Sequence, residues 1–333
     1  MKDTFFYTLH AILPILLIIL LGLGVRRTGW WNDDFYKQVN SLCFRLFLPV
    51  QLFCSVYSID DLSSVNWRMV GYLFFSVFFC LAVGLIASHL VTSRGQKGVI
   101  VQVSFRSNQA ILGLPLARTL GGDAAMGFAA MVTGVCIPLF NVLAVIVLTV
   151  FGGDGHKRPA FRTLARRVLT NPLILGAMSG LAVVLIRQLL PQVDGVSVFT
   201  IQNQLPSLYS ALTNLSGVAS PVMLFVLGAR LNFSAVRELL PQLTLGVLLR
   251  LVICPAAVIS MAVAFRAPLG LTTLEMPTLL AVSSTPVAVS SAVMAQEMGC
   301  DDQLASQLVV WTSVLSMVSV FCFIYISRSL GLL

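Results

Sequence analysis

Short stretches of the first half of the chain recur in the second half, and this recurrence limits the folds that the chain can adopt. Residues 116–123 (LARTLGGD) resemble residues 294–301 (MAQEMGCD), 178 positions later, and residues 49–53 (PVQLF) resemble residues 221–225 (PVMLF). Each half contains five hydrophobic segments. Because five is an odd number, two similar halves must have opposite orientations in a membrane, which is typical of transporters built from inverted repeats.

The composition of the chain is that of an integral membrane protein. Hydrophobic residues make up 57% of the 333 residues and charged residues 10%, whereas charged residues make up about 25% of soluble domains. A helix that crosses the hydrocarbon core needs ~20 apolar residues. Ten segments of this kind are predicted, and they occupy residues 6–25, 36–57, 68–92, 98–119, 125–151, 168–190, 207–229, 239–265, 272–297 and 304–327.

The predicted fold class is therefore an all-α integral membrane protein with ten transmembrane helices in two inverted five-helix repeats. The first repeat is residues 1–151, a basic cytoplasmic linker is residues 152–167, and the second repeat is residues 168–333. With the N-terminus outside, the cytoplasmic loops contain twelve Lys and Arg residues and the outer loops six, so the positive-inside rule places both termini outside the cytoplasm. The net charge of +8 is explained by topology and by contact with anionic membrane lipid rather than by nucleic-acid binding.

Two of the predicted helices contain clusters of polar residues, proline and glycine. The cluster in helix four contains Ser104, Ser107, Asn108, Gln109, Gly113 and Pro115, and the cluster in helix nine contains Ser283, Ser284, Thr285, Pro286, Ser290 and Ser291. Proline opens the hydrogen-bond ladder of a helix, and lipid tolerates the freed backbone groups only inside protein or beside a wet cavity. A shift of 178 positions places Pro286 on Asn108. The pattern predicts two broken helices that cross and frame a substrate site, with kinks that serve packing alone as the alternative.

At these residues the chain resembles the auxin efflux carrier family, whose bacterial members are small inner-membrane carriers. The resemblance lies in residues 105–115 (FRSNQAILGLP), 284–286 (STP), 295–297 (AQE) and 171–174 (NPLI), and it covers essentially the whole chain. Plant members have a proline immediately before the helix-four asparagine, where this chain has Ser107. The break there is therefore expected to be gentler, or to depend on Gly113 and Pro115.

The resemblance implies a fold related to the bile-acid:sodium symporters and sodium/proton antiporters, with helices four and nine broken and crossing. Helices one, two, six and seven would form a scaffold that also makes a homodimer, and helices three to five and eight to ten would form a moving transport unit. The implied function is elevator-type transport of small organic anions, namely carboxylates, across the bacterial inner membrane. The alternative on the same fold is a sodium-coupled organic anion symporter of the bile-acid type.

The predicted substrate-binding residues lie beside the two breaks. Half-helix N-termini and amide groups suit a carboxylate, and Asn108 matches the asparagine of the family motif. The other candidates are Arg106, Ser107, Gln109, Ser284 and Thr285. Each hydroxyl has an alternative partner, namely a carbonyl group three or four residues earlier in its own helix.

Three arginines lie inside predicted spans: Arg45, Arg106 and Arg250. A charge at the centre of a membrane helix costs at least ~2.5 kcal/mol, so each requires a reason. Arg106, next to the helix-four break, is the predicted attractor for the anion. Arg250 has two open roles: it donates to carbonyl groups freed at the crossing, or it offsets the charge of the anion.

Acidic residues and metal-ligand patterns are sparse in the hydrophobic spans. No Asp or Glu lies near the centre of any predicted span, which favours anion uniport, or coupling through a proton on the substrate or on Glu297. The seven cysteines contain no CxxC pair and the three histidines are scattered. We therefore predict no catalytic residue, no metal and no cofactor, and a membrane enzyme is the least favoured class.

Overall fold

The computed structural model describes residues 2–59, 66–153, 161–190, 192–193, 196–197, 200–266, 270–271 and 275–333. Residues 154–160, which include part of the predicted basic linker, lie outside the described residues. The helices are α1 (Lys2–Thr28), α2 (Asp33–Leu42), α3 (Leu48–Tyr57), α4 (Trp67–Ala87), α5 (Arg94–Phe105), α6 (Leu114–Phe151), α7 (Phe161–Leu169), α8 (Pro172–Leu189), α9 (Ile201–Gln204), α10 (Pro206–Arg230), α11 (Ala235–Glu238), α12 (Leu240–Leu248), α13 (Cys254–Ala264), α14 (Glu275–Ser283), α15 (Ser290–Glu297) and α16 (Asp302–Ser329). A short antiparallel hairpin of β1 (Gln192–Val193) and β2 (Val196–Ser197) joins α8 to α9.

Side-chain caps and prolines explain where several helices begin. An Asn or Asp side chain accepts a hydrogen bond from a backbone N–H of the first turn in α2, α4, α8 and α16, and the capping residues are Asn32, Asn66, Asn171 and Asp301. This bond satisfies one of the N–H groups that a helix start leaves without a partner. The charged or amide residues at these loop positions therefore fix the helix starts.

Three helices are preceded by a π-helical segment that ends two residues before a proline. These segments are Cys43–Phe47 before Pro49, Gln109–Gly113 before Pro115, and Leu249–Ile253 before Pro255. Proline lacks the backbone N–H and its ring collides with the carbonyl group four residues earlier. A π-turn widens the helix there, so the chain continues through the proline without a break.

Seven helices of the described chain are long and apolar enough to cross a membrane. They are Asp33–Tyr57, Trp67–Leu90, Gln109–Phe151, Pro172–Leu189, Pro206–Arg230, Leu240–Ala264 and Asp302–Ser329. The sequence predicts ten spans. Two of the additional predicted spans fall on helices that are interrupted, so each continuous piece is short: α5 has 12 residues, α14 has 9 and α15 has 8.

The longest of the seven, which contains α6, combines parts of two predicted spans. At 1.5 Å per residue, the 38 residues of α6 extend well beyond a hydrocarbon core of about 30 Å. The helix is bent at Gly121 and Gly122, where the backbone leaves the helical region and Gly122 has a φ of 73°. This φ favours glycine, so the Gly-Gly pair divides the helix close to the end of predicted span four.

Two helix pairs approach so closely that only glycine fits between them. A Cβ atom on Gly228 of α10 would lie 2.0 Å from the carbonyl oxygen of Ile19 in α1, and one on Gly22 of α1 would lie 2.0 Å from that of Phe225. In the second pair, a Cβ on Gly176 of α8 would lie 2.4 Å from the carbonyl oxygen of Pro49 in α3. Such small-residue contacts allow close packing of membrane helices, where burial of apolar surface gives little drive for association.

Candidate functional site

Two interruptions of helical structure meet inside the bundle. The first, residues 106–108, separates α5 from the π-helical segment before α6, and the second, residues 284–289, separates α14 from α15. Ser107 and Val287 form an antiparallel bridge, and the backbone N–H of Asn108 donates to the carbonyl oxygen of Pro286 at 2.8 Å. Each interruption therefore supplies a partner for backbone groups that the other frees, as the interior of a membrane protein requires.

The predicted helix-break residues occupy different positions around this crossing. Pro286 lies in the second interruption. Gly113 ends a π-helical segment, and Pro115 follows it in α6, where the wider π-turn accommodates the proline without a break. A Cβ on Gly113 would lie 3.4 Å from the carbonyl oxygen of Ala281, so this glycine stands at a close contact with α14. The interruption thus falls at residues 106–108, upstream of Gly113 and Pro115.

Arg250 connects both interruptions. Its Nε donates to the carbonyl oxygen of Thr285 at 2.9 Å, its Nη1 to that of Ser104 at 3.4 Å, and its Nη2 to that of Ser283. The side chain is buried, with 3% of the residue exposed. Helix ends and breaks leave carbonyl groups without N–H partners, and the planar guanidinium has donors that point in several directions. This is the geometry that the first of its two open roles requires.

A cavity of ≈ 90 Å³ lies between the first interruption and helices α3, α6 and α10. Its polar lining residues are Gln51, Ser55, Arg106, Ser107, Asn108, Gln109, Asn141, Ser220 and Ser290, and no Asp or Glu is among the described residues of the lining. The remaining wall is apolar and includes Leu52 and Phe140. The cavity combines an apolar shape with a few convergent polar groups, which is the usual composition of a small-molecule site.

The side chain of Arg106 is the cation of this cavity. Nη2 donates to Asn141 Oδ1 at 2.9 Å and to Ser290 Oγ at 2.7 Å, and Nη1 contacts the thioether sulfur of Met294 at 2.9 Å. The Nε–H is buried without an acceptor, and none of the recorded ion pairs involves this arginine. Thus a buried guanidinium has neutral partners, one of which is a weak acceptor.

Asn108 and Gln109 contribute two buried amides with unused hydrogen-bonding capacity. The two residues are 5% and 3% exposed. Asn108 Nδ2 and Gln109 Oε1 have no partner, and neither side chain forms a hydrogen bond with the described part of the chain. An unpaired buried polar group costs about 1–3 kcal/mol, so a native structure that contains several in one cavity wall is suited to receive a polar ligand there.

The hydroxyl candidates divide between the cavity and the helices. Ser107 lines the cavity, but Ser284 and Thr285 do not. Ser284 Oγ donates to the carbonyl oxygen of Leu280 at 2.6 Å, and Thr285 Oγ1 contacts that of Val282 at 3.5 Å. Their hydroxyls thus bond within their own helix, the alternative that applies to every Ser and Thr in a membrane helix. The structure therefore brings Arg106, Ser107, Asn108 and Gln109 together without these two.

Several lining residues were not among the predicted binding residues: Gln51, Asn141 and Ser220 come from helices that the sequence did not connect with the site, and Ser290 lies in the helix-nine cluster. Asn141 and Ser290 hold the guanidinium of Arg106, while Gln51 Nε2 donates to Ser220 Oγ at 3.2 Å across α3 and α10. One signal was present: Gln51 lies within, and Ser220 immediately before, the recurring motifs at residues 49–53 and 221–225. No local pattern marks Asn141, which is a lone amide in an apolar run.

Comparison with known proteins identifies the family of the chain. A family model described as "Membrane transport protein" matches residues 7–324. The chain belongs to this family, the auxin efflux carriers. It is also similar to an "Uncharacterized transporter" of Methanothermobacter thermautotrophicus, with 25% identity over 324 residues, which cover 93% of this chain and 95% of the relative. The family that residues 105–115 indicate is therefore confirmed.

In this auxin efflux carrier, two acidic residues of the described chain lie at helix ends and outside the cavity lining. Glu297 accepts from Asn40 Nδ2 at 3.4 Å and from Ser41 Oγ at 3.3 Å, which links α15 to α2. Asp302 pairs with Arg230 at 2.7 Å and links α16 to α10. Within the described ranges, no group of three or more His, Cys, Asp or Glu residues is arranged to hold a metal ion.

Proposed function

We propose that this membrane transport protein is a secondary transporter of small organic anions, namely carboxylates, which bind in the cavity beside the crossing. The observation that carries the proposal is the buried Arg106, whose guanidinium lies in a cavity wall without a carboxylate partner among the described residues. A buried charge without a counter-ion is costly, and a bound anion supplies the missing partner. The unpaired amide of Asn108 provides a further donor.

We propose that ten membrane helices form two inverted repeats. In addition to the seven apolar helices, α1 and the two interrupted pairs, α5 with the start of α6 and α14 with α15, would complete the set. The close contacts support this proposal. An inverted repeat exchanges helix one with six and helix two with seven, so the contact of α1 with α10 (one with seven) corresponds to that of α8 with α3 (six with two).

The cavity lies between two groups of helices, which supports an elevator mechanism. Gln51 and Ser55 of α3 and Ser220 of α10 come from the proposed scaffold, and Arg106, Asn108 and Ser290 come from the proposed transport unit. A substrate at such a boundary reaches one side or the other when the unit slides against the scaffold. We further propose a homodimer through the scaffold and a location in the bacterial inner membrane, with both termini outside the cytoplasm.

The test is carboxylate uptake by the purified protein in proteoliposomes. Asn108→Ala removes one donor to the anion and is expected to weaken affinity roughly ten- to a hundredfold, because a hydrogen bond to a charged group contributes about 1.5–3 kcal/mol. Ser284→Ala is the matched control, since its hydroxyl bonds within its own helix and lies outside the lining.

Unchanged affinity of Asn108→Ala would remove this residue from the site, and the absence of uptake or binding for every carboxylate would contradict the proposed function. Replacement of sodium by potassium separates the two candidate carriers: uptake that continues favours the anion carrier, and uptake that stops favours the sodium-coupled symporter. A proton gradient applied in the same vesicles tests coupling through the substrate or through Glu297.

A further inference from the structure

The volume of the cavity limits the size of the anion. A water-sized position takes about 10–15 Å³ on the measure that gives ≈ 90 Å³ here, so the cavity has room for roughly six to nine such positions. A short aliphatic acid fits this volume.

The charges around the cavity limit the charge of the anion. Arg106 is the one cationic residue among the described lining residues, and Asp and Glu are not among them. Arg250, which is also buried beside the crossing, uses its three donor nitrogens on backbone carbonyl groups. One carboxylate is therefore compensated, whereas a second carboxylate or an ammonium group would enter without an opposite charge, which is costly in a buried site.

The unpaired amides limit the polar groups that the anion carries. Each terminal amide has one NH₂ donor and one carbonyl acceptor, and the Asn108 and Gln109 side chains form no hydrogen bond with the described residues. A bare carboxylate only accepts, so it can pair with the NH₂ groups and the guanidinium but leaves the buried Gln109 Oε1 without a donor. A ligand with a neutral O–H donor next to its carboxylate can pair this oxygen as well.

Building on the proposed function, we infer that the anion is a short hydroxy-monocarboxylate, with its carboxylate on Arg106 and Asn108 and its hydroxyl on Gln109. Two nitrogen atoms of the Arg106 guanidinium lack a strong hydrogen-bond acceptor and are therefore available to the carboxylate. Its Nη1 contacts the Met294 thioether, a weak acceptor, and its Nε–H has no acceptor. A small rotation of the guanidinium replaces these by charge-assisted hydrogen bonds to the carboxylate. Gln109, next in sequence to Asn108, is the residue that determines specificity for the hydroxyl.

The experiment compares four probes of similar size by calorimetric titration of the purified protein in detergent. Lactate carries one carboxylate and a hydroxyl, pyruvate carries a carbonyl group in place of the hydroxyl, malonate carries a second carboxylate, and alanine carries an ammonium group. Lactate is expected to bind at least about tenfold more tightly than each of the others, because each alternative leaves a buried polar group unpaired or a charge uncompensated.

Equal affinity for lactate and pyruvate would overturn the role of the hydroxyl, and tighter binding of malonate would overturn the single charge. In both cases the proposed anion transport would stand. If none of the three anions binds, the inferred hydroxy-monocarboxylate is wrong, whereas the proposed function fails only if every other carboxylate in the uptake and binding tests is also inactive.

Gln109→Met tests the assignment of the hydroxyl to this side chain. Methionine has nearly the same length and lacks the amide, so the preference for lactate over pyruvate is expected to fall from at least about tenfold to about one. Asn108→Leu is the comparison, since it removes a donor to the carboxylate that both ligands share and is expected to weaken both equally. A Gln109→Met protein that keeps the wild-type preference would overturn the assignment.

Discussion

Arg250 joins backbone carbonyl groups of both interruptions, and its replacement by lysine separates a geometric role from an electrostatic one. The three acceptors belong to Ser104, Ser283 and Thr285, which lie on two different parts of the crossing. Lysine keeps the positive charge but replaces the planar fork of donors by one ammonium group. We expect this group to reach one carbonyl oxygen and to leave the other two without a donor.

The expected loss of stability follows from the number of carbonyl acceptors that lose their hydrogen-bond donor. Each costs about 1–3 kcal/mol, so Arg250→Lys is expected to lower the free energy of unfolding by about 2–6 kcal/mol. Arg250→Met orphans all three acceptors, which costs about 3–9 kcal/mol, but it also removes a buried charge that costs at least ~2.5 kcal/mol. Lysine is therefore expected to be no better than methionine. At roughly 2 °C per kcal/mol, the Arg250→Lys protein should melt roughly 4–12 °C below the wild type.

The assay is thermal melting of the purified proteins in detergent, followed by tryptophan fluorescence, together with the calorimetric affinity for a carboxylate well below the melting temperature. Both variants are expected to melt at a lower temperature than the wild type. The folded fraction of each should keep its affinity for the carboxylate within about threefold, because the hydrogen bonds of Arg250 do not involve the anion. The reasoning is refuted if Arg250→Lys keeps both wild-type stability and affinity while Arg250→Met loses anion binding. That pattern would assign the charge of Arg250 to the substrate.

Three further predictions concern packing, orientation and contacts at the helix ends. Gly228→Leu is expected to reduce the yield of folded protein or lower its melting temperature, because its Cβ would lie 2.0 Å from a backbone oxygen of α1; Gly217→Leu on the same helix has open space and should be tolerated. Arg162→Cys, at an exposed position of α7, should react with an impermeant thiol reagent only from the cytoplasmic side, and labelling from outside would reverse the orientation. Arg230→Ala breaks the partly exposed pair with Asp302 and should change stability by no more than about 1 kcal/mol; a larger loss in the melting experiment would show that this pair holds α10 to α16.

Hydrophobic runs and the family motif predicted the positions of most helices, but they left two positions open for the first interruption, one at Ser107 and Asn108 and one at Gly113 and Pro115. Ser107, Gly113 and Pro115 all weaken a helix, and a local window cannot rank them. The position is decided by contacts with a distant segment: Asn108 N–H donates to Pro286, and Ser107 forms its bridge with Val287. Pro115 does not break the helix because the π-helical segment before it accommodates the proline.

The candidate site was predictable where its residues are consecutive and unpredictable where they come from other helices. Arg106, Ser107, Asn108 and Gln109 line the cavity together because the chain leaves the helix there. Ser284 and Thr285 form an equally polar stretch, yet their hydroxyls bond within their own helix. The direction of a side chain in a non-helical segment depends on the dihedral angles of each residue, and composition does not record them.

The surroundings of Arg106 and Arg250, the two buried arginines beside the crossing, explain why an arginine inside a membrane span can have either of two roles. Arg106 and Arg250 are each less than 5% exposed. Arg250 contacts backbone carbonyl groups, whose positions the fold determines and which no substrate replaces. Arg106 contacts side chains in a cavity wall, has one N–H without an acceptor and has a thioether sulfur as a third partner. A bound anion can improve the surroundings of Arg106 at little cost, whereas an anion at Arg250 would compete with three carbonyl groups that hold the crossing together. For this reason we propose the structural role for Arg250 and the anion-binding role for Arg106.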